Sequence, residues 1–156
     1  MFITLHIGAQ QTTVTRTSDA AAPSPLVLAI GSHRTATEFF RHTPPTPGEL
    51  ENAIMAVEDE VTRARTLVAG HSALHTTDAA IRDIAVLAGV TDQDAMELSV
   101  EAVERTFDLL AALVQGRPAS SADLPNTAEF AATLLILREF MHHLQFAAVR
   151  ITGPGA

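Results

Sequence analysis

The sequence predicts an α+β fold, with a small, mostly antiparallel sheet packed against a layer of three to four helices. Three observations lead there. Short alternating or apolar runs bounded by turn residues fill positions 1–31, and helical spacing of apolar residues dominates 46–145. A nearly all-apolar stretch, Phe130 to Leu137, then leads almost directly into a β-like segment at 146–151. A strand so near the C-terminus needs partners from elsewhere. The sheet is therefore expected to join an N-terminal hairpin, a third strand and the C-terminal strand. One domain over 1–156 is expected, since a chain of 156 residues buries roughly 68–70% of its unfolded surface without disulfides or structural metal.

In the first strand Ile3, Leu5 and Ile7 alternate with Phe2, Thr4 and His6. Gly8 to Gln11 turns the chain, and the β-branched run Thr12 to Thr17 returns it as a hairpin, with Thr13, Thr15 and Thr17 on the wetter face. After a loop over 18–25, Leu26 to Ile30 is a continuous apolar run of the kind found in covered strands. Gly31-Ser32 ends it, and His33 to His42 reads as a short helix or an irregular crossover. The first long helix opens at Thr46-Pro47-Gly48-Glu49, with Thr46 as N-cap, Pro47 at the first helical position and Glu49 closing a capping box. Its apolar seam is Leu50, Ile54, Val57, Val61, Ala64 and Val68, and Gly70 stops it.

A shorter helix spans Asp78 to Ala88, ended by Gly89. Thr91 to Asp94 caps a third helix that runs to Val114, with the seam Met96, Val100, Val103, Phe107, Leu110 and Val114. Gly116 and Pro118 end it in the usual order. Both seams are spaced 4-3-4-3-4, so the two helices are expected to lie side by side. Asn126, with Glu129 three residues on, caps the central helix. Arg138-Glu139 interrupt its apolar run after about eight residues, far short of the roughly 20 that a membrane span needs. Phe146 to Ile151 is the last strand and 152–156 a tail.

Composition excludes several classes of function. There is no Cys, which removes thiol chemistry, Cys-ligated zinc and disulfides together. The net charge of −8, with all ten basic residues Arg and none in a run, argues against nucleic acid and anionic membrane as partners. The opening residues MFITLHIG carry neither a basic segment nor a long apolar core, so no signal peptide is read and a cytoplasmic address is expected.

Seven His residues direct attention to ligand and metal chemistry. His71 and His75 stand four apart with Asp78 beyond them, a spacing that brings two imidazoles to one face of a helix and within reach of one metal ion. Glu139 and His142 form a single ExxH pair, and Glu139 also stands four before His143, whereas a ferritin-like di-iron bundle requires two such motifs. Gly31-Ser32-His33-Arg34 leaves an apolar strand, at the place where α/β proteins bind ligands beyond strand ends, so His6, His33 and Arg34 are candidate ligand-binding residues. No GxSxG segment marks a nucleophile elbow. The run Glu58-Asp59-Glu60, followed by Arg63, reads as a solvated helix face.

The run Ile7-Gly8-Ala9-Gln10-Gln11-Thr12-Thr13 resembles the first phosphate-binding hairpin of the actin-like kinase and exopolyphosphatase superfamily. In that family a hairpin carrying Gly and Ser/Thr backs the phosphates of a nucleotide. The resemblance spans residues 3–31. At position 6, where the acidic residue of that strand would be sought, this chain has His, and its length falls short of a two-domain cleft. No residue role is carried over.

Two functions are expected from these readings. The first is a homo-oligomeric binding or assembly protein, a homodimer or the holder of a protein partner, because the matched seams and a short open sheet invite pairing across a two-fold axis. The alternative is a phosphate- or metal-dependent ligand-binding protein or enzyme, with its site at His6, His33 and Arg34 or at His71 and His75. The sequence names no cofactor and no catalytic set.

Overall fold

The computed structural model describes residues 2–17, 25–70, 73–118 and 123–153. Six strands and six helices follow one another as β1 (Phe2–Ile7), β2 (Thr12–Thr17), β3 (Leu26–Leu28), α1 (Ser32–Phe39), α2 (Pro47–Thr62), α3 (Arg65–Val68), β4 (Leu74–Thr76), α4 (Ala79–Leu87), β5 (Ala95–Ser99), α5 (Val100–Val114), α6 (Ala128–His143) and β6 (Ala148–Thr152). All strands join one sheet in the order β3-β2-β1-β4-β6-β5.

The sheet is mixed, and larger than the small, mostly antiparallel one the sequence predicts. β1 pairs antiparallel with β2 in the register Phe2↔Thr17 to Ile7↔Thr12, and β2 continues antiparallel to β3. On its other side β1 pairs parallel with β4, and β4 pairs parallel with β6. β5 closes the far edge antiparallel to β6. Two of these strands stand where none is read from the residues. Leu74–Thr76 lies in what looks like a polar connector, and Ala95–Ser99 replaces the expected first turn of the third helix. Met96 and Leu98 are buried and Ala95 and Glu97 exposed, a period of two hidden beneath a four-residue spacing to Val100. The helix begins only at Val100, where the Ser99 side chain accepts from Ala102 N–H.

Alternation divides the sheet into two faces. Ile3, Leu5, Ile7, Val14, Leu28, Leu74, Leu98, Val149 and Ile151 are buried on one. On the other, His6, Glu97 and Arg150 are exposed, with Thr13, Thr15 and Thr17 half-buried, as their spacing implies. Parallel strands need crossovers of one hand, and these place the helices over the buried face.

α6 is the axis of that layer. Ala131 to Leu137 are all buried, as are Phe140 and Met141. α1, α2, α4 and α5 each pack against it. Leu134, Leu135, Ile136 and Leu137 are fully buried, and each contributes about 1.5–3 kcal/mol through removal from water. The two matched seams therefore do not zip together. α2 brings Leu50, Val57 and Val61 and α5 brings Val103, Phe107 and Leu110, all buried, to α6.

The local signals hold with small shifts. Thr46 and Glu49 form both bonds of the capping box, with Pro47 first in α2. That helix ends at Thr62 and resumes as the single turn α3, so the expected run to Gly70 is broken at Arg63–Ala64. Gly89, at φ 98°, takes the left-handed conformation that ends α4. The N-cap of α6 is Thr127, which accepts from Phe130 N–H, one residue beyond the expected Asn126. Among the described residues no helix is long and apolar enough to cross a membrane.

Candidate functional site at the strand ends

The C-terminal ends of β1 and β4 come to one edge of the sheet, together with the β1–β2 turn and the starts of α1 and α4. The turn is drawn tight by a bond from Gly8 N–H to Gln11 O. A side chain at Gly8 would bring its Cβ within 2.8 Å of that oxygen and 3.4 Å of His6 Nε2. The turn's carbonyls face α1. Gly8 O accepts from Ser32 N–H, and Ala9 O accepts from both His33 and Arg34 N–H, each at 2.9 Å. Those are three of the donors a helix start leaves without partners, so the first turn of α1 is consumed in holding the hairpin. Gly31 makes this approach possible, because a Cβ there would lie 2.5 Å from Ala9 O.

The opposite side of the turn is open. Ala9, Gln10 and Gln11 are exposed, and among the described residues their N–H groups have no hydrogen-bond partner. Successive free N–H groups in a turn form a concave site for anions.

Beside the turn stands a pair that the sequence does not announce. Asp78, at the N-cap of α4, makes no capping bond; its side chain reaches across to β1 instead. Oδ2 accepts from Ile7 N–H at 2.7 Å, and Oδ1 lies 2.6 Å from Nδ1 of His6, a short charge-assisted bond. The Asp78 side chain is 9% exposed and that of His6 63%. With the carboxylate as acceptor, Nδ1 carries the proton and Nε2 is left open, on the side of the imidazole nearest Gly8. A carboxylate thus fixes the tautomer and orientation of an exposed imidazole.

The three candidates His6, His33 and Arg34 share this edge, but their side chains do not converge. His33 Nδ1 turns to Glu129 Oε1 of α6 at 3.5 Å, and its Nε2 is 3.4 Å from Thr37 Oγ1. Arg34 lines a separate groove of about 320 Å³ that also holds Glu38, Asp59 and Glu60, a wall too acidic for an anion. His75, expected with His71 as a metal pair, lies in strand β4, and His71 falls outside the described residues. The His75 ring is 4.8 Å from that of Phe2 on the open face of the sheet. Burial, and then the charge of Arg150 on the neighbouring strand, holds the His75 pKa below its ordinary 6.5.

No family model and no curated protein matches the chain. Solved structures do. A PPX-GPPA enzyme of Aquifex aeolicus superposes with a TM-score of 0.77 at 14% identity, over 97% of this chain and 53% of that one. An exopolyphosphatase-like protein gives 0.75 at 12% identity, over 97% and 55%. An exopolyphosphatase from Cytophaga hutchinsonii ATCC 33406 gives 0.73 at 12% identity, over 98% and 53%. The likeness is one of fold, a mixed six-stranded sheet with six helices resembling part of the Ppx/GppA structures. The chain spans about half the length of the structures it matches.

Proposed function

We propose that this chain is a phosphate-binding lobe of a phosphate-processing enzyme, and that its strand-end edge receives the phosphate groups. One observation carries the reading: the His6–Asp78 pair stands beside a hairpin whose exposed tip offers three free N–H groups. The N–H groups of Ala9, Gln10 and Gln11 hold the anion. His6, fixed through Nδ1, presents Nε2 either to accept a proton from an attacking water or, once protonated, to donate to a phosphate oxygen. Asp78 supplies from α4 the carboxylate that β1 lacks at position 6. The fold likeness to Ppx/GppA phosphatases supports the same class of ligand. Their chains are about twice the length matched here, so a facing lobe, from this or another polypeptide, would close the cleft and exclude water.

Assembly has less to support it as the main role, because both apolar seams are occupied by α6 within one chain. Self-association enters instead as one route to the facing lobe.

Amide NMR titration with pyrophosphate tests the proposal. The expected result is saturable shifts confined to residues 6–11 and 76–81, with affinity falling about tenfold in His6→Gln and Asp78→Asn, the loss of one charge-assisted contact. Shifts absent at millimolar ligand, or an unaltered affinity in both variants, would overturn it.

A further inference from the structure

At the other end of α6 a buried carboxylate is left half-satisfied. Glu139 is 1% exposed in a helix surrounded by apolar packing. Its Oε1 accepts from Arg138 Nη1 at 2.8 Å, and that guanidinium lies over the Phe107 ring, 4.8 Å from the centroid. Oε2 has no hydrogen-bond partner. One turn further on, His143 Nε2 comes within 2.8 Å of Oε2, but its N–H direction misses that oxygen and the imidazole bonds to Glu58 Oε1 of α2 at 3.2 Å. The three atoms lie within 4.8 Å of one another.

We infer that Glu58, Glu139 and His143 form a site for a divalent cation of the zinc class. A proton on Nε2 can serve one carboxylate at a time and leaves Oε2 of the buried one without a donor. A cation in place of that proton is bound by all three atoms together. Tetrahedral bonds of about 2.0–2.1 Å place ligand atoms roughly 3.3 Å apart; the two separations to Nε2 are 2.8 and 3.2 Å, and the carboxylate oxygens lie within 4.8 Å of each other, so the partly exposed Glu58 side chain closes on the ion as it binds. One imidazole nitrogen with two carboxylate oxygens suits Zn²⁺, Mn²⁺ or Co²⁺ better than Ca²⁺ or Mg²⁺. Arg138 holds the second oxygen of Glu139, as outer partners of metal-bound carboxylates do. Three protein ligands leave a fourth position for a water or an exogenous ligand; His143 also lines a cleft of about 470 Å³ with Arg65, Gly70 and Leu144.

The test is calorimetric titration of the EDTA-stripped protein with ZnCl₂, followed by Co²⁺ absorption to report coordination geometry. The expected result is one ion per chain, with tetrahedral Co²⁺ bands. Glu58→Ala, at a partly exposed helix position, should remain folded by circular dichroism and weaken Zn²⁺ at least tenfold, and His143→Ala should abolish the Co²⁺ bands. His75→Ala should change neither. Absence of stoichiometric Zn²⁺ binding, or binding that survives His143→Ala or is lost in His75→Ala, would overturn the assignment.

Discussion

Replacing Gly31 by Ala tests whether the hairpin and α1 are held together as described. The φ of Gly31 is −165°, extended backbone open to any residue, so in the folded state the effect of a methyl group there is steric alone. Its Cβ would meet Ala9 O at 2.5 Å, Ala9 C at 2.7 Å and Gly8 O at 2.8 Å. All three are backbone atoms and none can rotate away. Restoring van der Waals contact near 3.4 Å requires the hairpin tip to retreat by about 0.9 Å, a shift of the kind that makes overpacked sites destabilising. That movement draws the Gly8 and Ala9 carbonyls away from the N–H groups of Ser32, His33 and Arg34, now at 2.9 Å. Three bonds with a net worth of about 1 kcal/mol each, less the roughly 0.4–1 kcal/mol by which Ala restrains the unfolded chain, leave a destabilisation of about 2 kcal/mol. Gly48 is the control. It lies in the first turn of α2 with nothing within 4 Å of its would-be Cβ, so Gly48→Ala should stabilise by about 0.5–1 kcal/mol. Urea denaturation reads both as midpoint shifts of opposite sign at constant slope. A Gly31→Ala midpoint equal to or above that of the parent would refute the argument, because it would mean that the hairpin does not bear on α1 at this distance.

Thr46→Ala removes one bond of the capping box and loosens the other, with an expected loss of about 1 kcal/mol in the same assay. Leu135→Ala opens a void in a fully buried helix face and should lower stability by about 2–5 kcal/mol. Glu49 titrates near 2 in the fold, lowered from its ordinary 4.5 first by the Thr46 N–H and then by the His42 bond. A folded-state pKa below the unfolded one gives stability that is complete above pH 4.5 and lost as pH falls toward 2. Glu49→Gln should therefore flatten a thermal-melt pH series in that acid window. For His75, burial and Arg150 favour the neutral ring in the fold. Protonation then opposes folding, so stability should be full above pH 6.5 and decline below it, and His75→Gln should remove that decline.

The parts of the fold written in local chemistry are legible in the sequence. The β1–β2 hairpin shows a period of two, α2 its capping box, α4 its terminal glycine, and α6 an apolar surface on nearly every side. β4 is illegible for a physical reason. Leu74-His75-Thr76 is too short to carry a pattern, and it is a strand only because β1 and β6 flank it. Without β4 neither parallel pairing can be inferred, and the sheet reads as small and mostly antiparallel. β5 fails differently: Met96 and Val100 fit a helical seam while Met96 and Leu98 fit the alternation of a strand, and the pairing with β6 decides. In the candidate site, His6 and the hairpin turn are visible as residues at a strand end. Asp78, 72 positions away, reads only as a helix start, since nothing local shows its carboxylate spent on β1 rather than on its own helix. Likewise the spacing of Glu139 and His143 is apparent, but Glu58 joins them only through the packing of α2 on α6.

The two proposed sites lie at opposite ends of one helix, and this makes them separable. Glu129, in the first turn of α6, contacts His33 at the strand-end edge, whereas Glu139 and His143 close its last turns. Ten residues at 1.5 Å each separate Glu129 from Glu139 by about 15 Å, beyond the roughly 7–10 Å within which substitutions usually couple. His6→Gln should therefore leave the zinc isotherm unchanged, and Glu58→Ala should leave pyrophosphate affinity unchanged. The double variant should show each loss at its single-variant value within about 0.5 kcal/mol. A larger interaction energy would be informative in a definite direction. Between these ends Ala131 to Leu137 are all buried, so coupling over that distance would be carried by a shift of α6 as a whole. Zinc at one end would then reposition α1, and with it the hairpin whose carbonyls α1 holds.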